Sequence, residues 1–199
     1  MARRKDHSPE ELSELVLKQV LEFLQSESAD QLSLRKLAKM VGYSPGTLIN
    51  LFGSYDKLIL AANAKTLDII ADQIGEVMTK INDPEKRLQG FAHSYFDFAQ
   101  QHPFQWQILF EHHIEDDEIP QWQMSRIDRL FDVIENCLES IKPNSDSADR
   151  HQVSRVIWAA VHGICTLATD DKLFAKDSIN GQSMIDSLLT HYLGSWKNS

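Results

Sequence analysis

The sequence reads as all-α, and three observations carry that expectation. Apolar residues recur three and four positions apart through most of the chain, the period of a helix with one dry face. No stretch shows the two-residue alternation of a half-buried strand. Only 8 Gly and 6 Pro interrupt 199 residues, and five of those prolines (Pro9, Pro45, Pro84, Pro103, Pro120) stand where a helix is expected to begin. About nine helices are expected.

Ser8-Pro9-Glu10-Glu11 is a capping box, with Ser8 bonding forward and Glu11 reaching back. The first helix follows to about Gln25, burying Leu12, Leu15, Val16, Val20, Phe23 and Leu24. Glu27 to Gln31 is a polar link. Ser33 caps a short second helix that turns Leu34, Leu37, Ala38 and Val41 inward and leaves Arg35, Lys36 and Lys39 wet. Gly42 is suited to a left-handed stop, and Ser44-Pro45 supplies a new cap and first turn, so a third helix runs from Pro45 to Phe52. Leu48 and Phe52 would pack inward, and Ser44, Thr47, Ile49 and Asn50 would face out. Two short helices around a glycine turn make a helix-turn-helix, whose second helix enters the DNA major groove.

Ser54 caps a long fourth helix, Tyr55 to about Ile81, with Leu58, Ile59, Ala62, Leu67, Ile70, Ile74, Val77 and Met78 inside. Asn82-Asp83-Pro84 breaks it and opens the fifth, to about Gln101, striped by Leu88, Phe91, Ala92, Tyr95, Phe98 and Ala99. Pro103 forces a boundary because the residue before proline avoids helical dihedrals. The sixth helix, to about His113, carries Phe104, Trp106, Ile108, Leu109 and Phe110. Glu111 to Glu118 is acidic and reads as a solvated loop. The seventh helix runs from Pro120 to Ile141 on Ile127, Leu130, Phe131, Ile134, Leu138 and Ile141. The eighth, Ala148 to about Thr169, buries Val153, Val156, Ile157, Ala160, Val161, Ile164 and Ala168. The ninth, Ser178 to about Lys197, buries Met184, Ile185, Leu188, Leu189, Tyr192, Leu193 and Trp196.

Charge is unevenly spread. The whole chain carries −9, yet residues 1–65 hold nine Lys/Arg against eight Asp/Glu and the remainder eleven against twenty-one. An acidic body with a near-neutral, locally basic head suits a protein that offers one end to nucleic acid. No run approaches 18 apolar residues and MARRKDHSPEE has no apolar signal core, so a soluble cytoplasmic protein with no membrane partner is expected. Cys137 and Cys165 fall within apolar helical patterns and read as buried thiols.

The run L-S-L-R-K-L-A-x-x-V-G-Y-S-x-G-T-L-x-x-x-F-x-S-x-D-x-L, Leu32 to Leu58, resembles the DNA-binding signature of tetracycline-repressor (TetR) type regulators in order, spacing and glycines. Two positions depart from it. Ile49 stands where members usually carry Tyr and Tyr55 where they carry Lys, both phosphate-contacting in the family. WAAVHG, with Trp158, His162 and Gly163, resembles the W-x-x-x-H-G sequence of one subset of TetR C-terminal domains.

The resemblance implies a three-helix DNA-binding head over residues 1–54 and a ligand-binding and dimerisation domain over 55–199, with the fourth helix connecting them. It implies a homodimer through the last two helices, an operator of double-stranded DNA and a small-molecule effector. A plain intrachain core for those two helices is the alternative. The expected DNA-binding residues are Arg35, Lys39, Ser44, Pro45, Gly46, Thr47, Ile49, Asn50, Tyr55 and Lys57, with Arg3, Arg4 and Lys5 as a basic arm. The expected ligand-binding residues are Phe91, Tyr95, Phe98, Trp106, Phe110, Trp122, Trp158 and His162. Aromatics at helical spacing are equally explained as core, and His162 as a satisfied core histidine.

Other chemistry has little support. His112 and His113 with the acids that follow are metal-capable types without H-x-x-x-H or H-E-x-x-H spacing, so no metal site is expected. No G-x-S-x-G, phosphate-binding glycine loop or triad spacing occurs, and neither catalysis nor a cofactor is expected. The reading is therefore a ligand-responsive transcriptional regulator, more readily a repressor. The alternative is a binding module of the same fold that has lost operator recognition.

Overall fold

The computed structural model describes residues 7–112, 119–169 and 180–198. Among them the chain forms nine α-helices and no strand: α1 (Pro9–Phe23), α2 (Leu34–Val41), α3 (Pro45–Phe52), α4 (Tyr55–Met78), α5 (Pro84–Gln101), α6 (Pro103–Glu111), α7 (Gln121–Ile141), α8 (Ser147–Thr169) and α9 (Gly181–Lys197). A 3-10 turn, Ala29–Gln31, precedes α2. The architecture is all-α, and no described helix is long and apolar enough to cross a membrane.

Local chemistry sets the helix ends. Ser8 and Glu11 close the capping box reciprocally, at 3.2 Å from Glu11 N to Ser8 Oγ and 2.7 Å from Ser8 N to Glu11 Oε2. Ser54 Oγ accepts from Lys57 N (3.1 Å), Asp83 Oδ1 from Lys86 N (2.9 Å) and Asn180 Oδ1 from Ser183 N (2.8 Å). Several ends differ from expectation: α1 stops at Phe23 rather than near Gln25, and α7 and α8 start one residue away from Pro120 and Ala148. α4 stops at Met78, since Lys80 and Ile81 bond only three residues back, the tightened geometry of a fraying end. α6 stops at Glu111, and His113 lies outside the described residues. α9 starts at Gly181, and the Ser178 start expected for it lies outside the described residues.

The chain divides into two compact units, one from Met1–Leu67 with Phe104–Ile119, the other from Asp68–Pro103 with Pro120–Ser199. α4 contributes its first half to one and its second half to the other. The core of the first unit gathers Val16 and Val20 of α1, Leu37 of α2, Leu48 of α3 and Leu58 of α4, each at 0% exposure, with Ile108 of α6 beside them. α6 thus packs with the head although it follows it by some fifty residues.

In the second unit α5 is buried along all its expected stripe and packs on α7, α8 and α9. Polar ties stitch α5 to α9: Gln89 Nε2 donates to Asp186 Oδ1 (2.6 Å), His93 Nε2 meets the same oxygen (2.7 Å), and Gln182 Nε2 donates to Asp97 Oδ1 (2.8 Å). Asp68 of α4 receives Arg126 Nε (3.0 and 3.1 Å) and Arg129 Nη2 (3.1 Å) from α7. Two residues expected inside are exposed: Val77, at the fraying end of α4, and Val156 of α8. Cys137 and Cys165 are free and buried, and burial pushes the Cys165 thiol up to about 12.

α9 can meet α5 closely only because its first residue is glycine. A Cβ at Gly181 would overlap the Cε2–Cζ edge of the buried Phe96 ring. Gly181→Ala is therefore expected to destabilise the protein by about 1–3 kcal/mol through overpacking, read by urea unfolding. In a Phe96→Ala background the same change should cost far less. Equal costs in both backgrounds would contradict this contact.

Candidate DNA-recognition face and interior aromatic site

Two caps and a glycine build the candidate DNA-reading face. Ser33 Oγ accepts from Lys36 N (3.2 Å) to start α2, and Gly42, at φ 76° and ψ 27°, ends it while Tyr43 N donates to Ala38 O (2.9 Å). Ser44 Oγ then accepts from Thr47 N (3.1 Å) and lies 2.9 Å from Thr47 Oγ1, so only Gly42, Tyr43 and Ser44 separate the two helices. That is the short glycine-containing turn of a helix-turn-helix.

Leu48, 0% exposed, anchors α3 in the core of the first unit. Ser44, Gly46 and Asn50 are exposed, and Pro45, Thr47 and Ile49 are half-buried. A Cβ on Gly46 would meet nothing closer than Ser44 Oγ at 3.8 Å, so the start of α3 is open to close approach. Arg35, Lys39 and Lys57 are exposed. Between Ser33 and Lys57 stand four Lys/Arg and one carboxylate, Asp56, which gives this stretch the positive balance that phosphate attracts. The ten expected residues thus share one unit.

Some of them have other partners. The Ser44 hydroxyl is engaged in the α3 cap. Tyr55 is half-buried, its hydroxyl donates to Leu32 O at 2.7 Å, and burial pushes the phenol up. Its side chain seats the start of α4 against the segment before α2. Lys36 is exposed as expected, and it also lays its ammonium over the Phe23 ring (4.3 Å) and donates to Gln31 O (3.3 Å). Arg3, Arg4 and Lys5 lie outside the described residues.

A second site forms inside the other unit, where α5 faces α8. Trp158 Nε1 donates to Tyr95 Oη at 3.1 Å, and Tyr95 Oη lies 3.2 Å from His162 Nδ1. The indole can only donate, so Tyr95 Oη accepts from it and forms a second hydrogen bond with the His162 ring. Trp158 and His162, four residues apart on α8, stack at 5.1 Å between centroids. Phe91 stacks on Tyr95 (6.5 Å), and Phe131 meets Trp158 edge-on (5.6 Å). Tyr95 is 3% exposed, and burial holds its phenol far above the usual range. The result is a chain of hydrogen-bonded polar groups set in an aromatic wall.

Burial lowers the pKa of His162 below its ordinary 6.5, because the desolvated ring disfavours the cation. The unfolded chain therefore binds more protons than the native one as pH falls through 6.5, and this histidine withdraws stability on acidification. Between pH 7.5 and 5.5 the wild type should lose more unfolding free energy than His162→Gln, which keeps an acceptor for Tyr95 and cannot charge. Parallel pH profiles by urea unfolding would contradict the assignment.

The other expected ligand residues are dispersed. Phe98 is 1% exposed and packs on His102 at 4.8 Å. Trp106 and Phe110 pair with each other at 4.7 Å but belong to the first unit. Trp122 is 44% exposed, with Arg126 5.9 Å from its ring, and so covers surface rather than interior. Phe131 joins the aromatic wall instead, with the Arg155 guanidinium 4.0 Å over its outer face. Gln123 was not anticipated: it is 5% exposed and its Oε1 has no hydrogen-bond partner among the described residues. Its signal was its register, since Gln123, Ile127, Leu130 and Ile134 share one face of α7. His112 donates from Nε2 to Asp56 O at 3.2 Å, and no group of three metal-capable residues gathers among the described residues.

Comparison with known proteins matches residues 88–192, more than half of the chain, to the family model described as "Tetracyclin repressor-like, C-terminal domain". No curated protein sequence matches the chain. Among solved structures it is similar to a protein of unknown function from Rhodococcus sp. RHA1 (18% identity, TM-score 0.75, covering 97% of this chain and 98% of that one). It is also similar to a TetR-family transcriptional regulator from Streptomyces coelicolor (18%, 0.70, 96% and 83%). A third is AibR, solved in complex with isovaleryl coenzyme A and operator DNA (12%, 0.63, 90% and 96%). At such identities the structures speak for the fold alone, whereas the family match spans the parts of α5 and α8 that carry Tyr95, Trp158 and His162. The chain belongs to the TetR family of transcriptional regulators.

Proposed function

We propose that this regulator is a homodimeric repressor that leaves a pseudo-palindromic operator when a small apolar or amphipathic molecule enters the second unit. The observation that carries the proposal is the exposed, open start of α3, with Asn50, Thr47 and Gly46 outward over a core-anchored Leu48. Asn50 and Thr47 read base edges, and Arg35, Lys39 and Lys57 hold phosphates. Residues 1–54 are taken as the DNA-binding domain and 55–199 as the ligand-binding and dimerisation domain. The hydrogen-bonded Tyr95, Trp158 and His162 set among Phe91 and Phe131 support a largely apolar guest.

Dimerisation through α8 and α9 is supported by an open stripe on α8. Val156 (41% exposed), Ala159, Gly163 and Leu167 (39%) recur at three- and four-residue spacing, and nothing lies within 4 Å of a Cβ added to Gly163 or to Gly194 of α9. A twin's helices fit that face. α4, continuous through both units, carries the ligand's preference between conformations to the head.

Tyr55 favours a second reading. Its hydroxyl is given to Leu32 and its neighbour position Ile49 has no donor, so two phosphate contacts usual in the family are missing. The same fold would then act by ligand or protein binding alone. A gel-shift series with the DNA upstream of the protein's own gene separates the two. A retarded dimer complex whose affinity falls steeply with salt is expected. No shift at low salt from a folded dimer would establish the second reading instead.

A further inference from the structure

His7, the residue before the α1 cap, is tied to the turn of the helix-turn-helix. Its Nδ1 lies 2.8 Å from Tyr43 Oη, with the two rings 6.0 Å apart and tilted by 56°. Tyr43 is the middle one of the three residues that separate α2 from α3, set between the left-handed Gly42 and the Ser44 cap. Its ring is half-buried against the core of the first unit and its N–H donates to Ala38 O (2.9 Å). The phenol is therefore held in place while its hydroxyl reaches an exposed imidazole.

That bond leaves a donor over, whichever way its proton lies. If Tyr43 donates to Nδ1, the neutral imidazole keeps its own proton on Nε2, directed away from the bond; if Nδ1 donates, the phenol proton is released instead. The bond is the one side-chain hydrogen bond that either residue makes among the described residues. A pair that always holds one N–H or O–H outward suits an anionic oxygen, with which a hydrogen bond is roughly twice as strong as with a neutral one. The neighbouring charges allow it. Glu11 turns its carboxylate to Ser8 N (2.7 Å), and Glu10 is exposed to water. Lys39, four residues before Tyr43, is exposed, and no Asp or Glu occurs from Ser33 to Tyr55.

We propose that His7 and Tyr43 together hold one backbone phosphate of the DNA duplex at the edge of the contact made by α3. The proposed contact rests on the operator-binding reading and extends the interface to the residue that precedes α1, which that reading leaves out. It supplies a phosphate contact in a chain whose Ile49 has no side-chain donor and whose Tyr55 hydroxyl is given to Leu32 O. A phosphate bound there would fix the register of the turn, and with it α3, on the duplex.

Ethylation interference with the full-length protein, on a duplex it enriches from a random library, tests this. Tyr43→Phe removes the hydroxyl and keeps the packed ring, and His7→Ala trims an exposed side chain outside the capping box, so circular dichroism should show both folded. Ethylation of one particular phosphate in each half-site is expected to block the wild type. Each variant should bind the unmodified duplex about tenfold more weakly, the loss of a hydrogen bond to a charged group, and should tolerate ethylation at that same phosphate. Wild-type affinity in either variant would overturn the proposal and leave the operator reading standing. Weaker binding with an unchanged interference pattern, the outcome for a bond that only braces the fold, would do the same. A wild-type protein that enriches no duplex would overturn both.

Discussion

Changing Thr47 and Asn50 together to alanine is expected to cost about 2–6 kcal/mol of binding to a selected operator, since each good base contact discriminates by about 1–3 kcal/mol. The fold should survive. Asn50 is exposed, and the α3 cap is kept because Ser44 Oγ still accepts from the backbone N–H of residue 47. A phosphate-contacting lysine should behave differently: Lys39→Ala should weaken all sequences alike and lower the salt slope by about one. Competition gel shifts at several salt concentrations, with circular dichroism on each variant, check both. Operator binding by the double variant at the wild-type level would remove Thr47 and Asn50 from the interface.

Leu48→Ala is expected to cost about 2–5 kcal/mol of unfolding free energy, the range for truncating a buried leucine. Leu48 is the single buried residue of α3, at 0% exposure, and it enters a core shared by α1, α2, α4 and α6. An eight-residue helix has too few turns to persist on its own. Losing its anchor therefore damages DNA binding more than global stability implies, by raising the population in which α3 is displaced from the head. Urea unfolding, and hydrogen exchange at the α3 amides, measure the two effects separately. Stability and exchange both at wild-type levels would mean that α3 is held by something other than this side chain.

Much of the fold was legible because its signals are local. Ser8, Ser33, Ser44, Ser54 and Asp83 announce helix starts, Gly42 announces a stop, and each prediction required only the next few residues. The helix-turn-helix spacing was legible for the same reason. What the sequence hid is set by long-range packing. That α6 joins the head depends on Ile108 reaching a core built by residues 12–62, and nothing within Pro103–Glu111 says so. The same cause separated Trp106 and Phe110 from Tyr95, although all three share the aromatic character that grouped them.

At the interior site, the W-x-x-x-H-G spacing placed Trp158 and His162 on one face, but that Tyr95 stands between their nitrogens is a tertiary fact. Trp122 shows the converse error. A tryptophan beside an amphipathic stripe reads as buried, yet Arg126 and the solvent share its ring. Tyr55 was grouped with the DNA-binding residues because it stands where the family carries a phosphate-contacting Lys, and its hydroxyl donates to a carbonyl of its own chain. Side chains that can satisfy themselves internally are the ones sequence position misassigns.

The central claim is that the outward face of α3, presented twice by a homodimer, reads a DNA duplex. Hydroxyl-radical footprinting of the full-length protein on duplexes enriched from a random library tests it most directly. The account predicts two dyad-related protected patches centred about one helical turn, roughly 34–36 Å, apart, with protection lost in the Thr47→Ala/Asn50→Ala variant. A library that enriches no sequence, or a footprint indifferent to both substitutions, would contradict it.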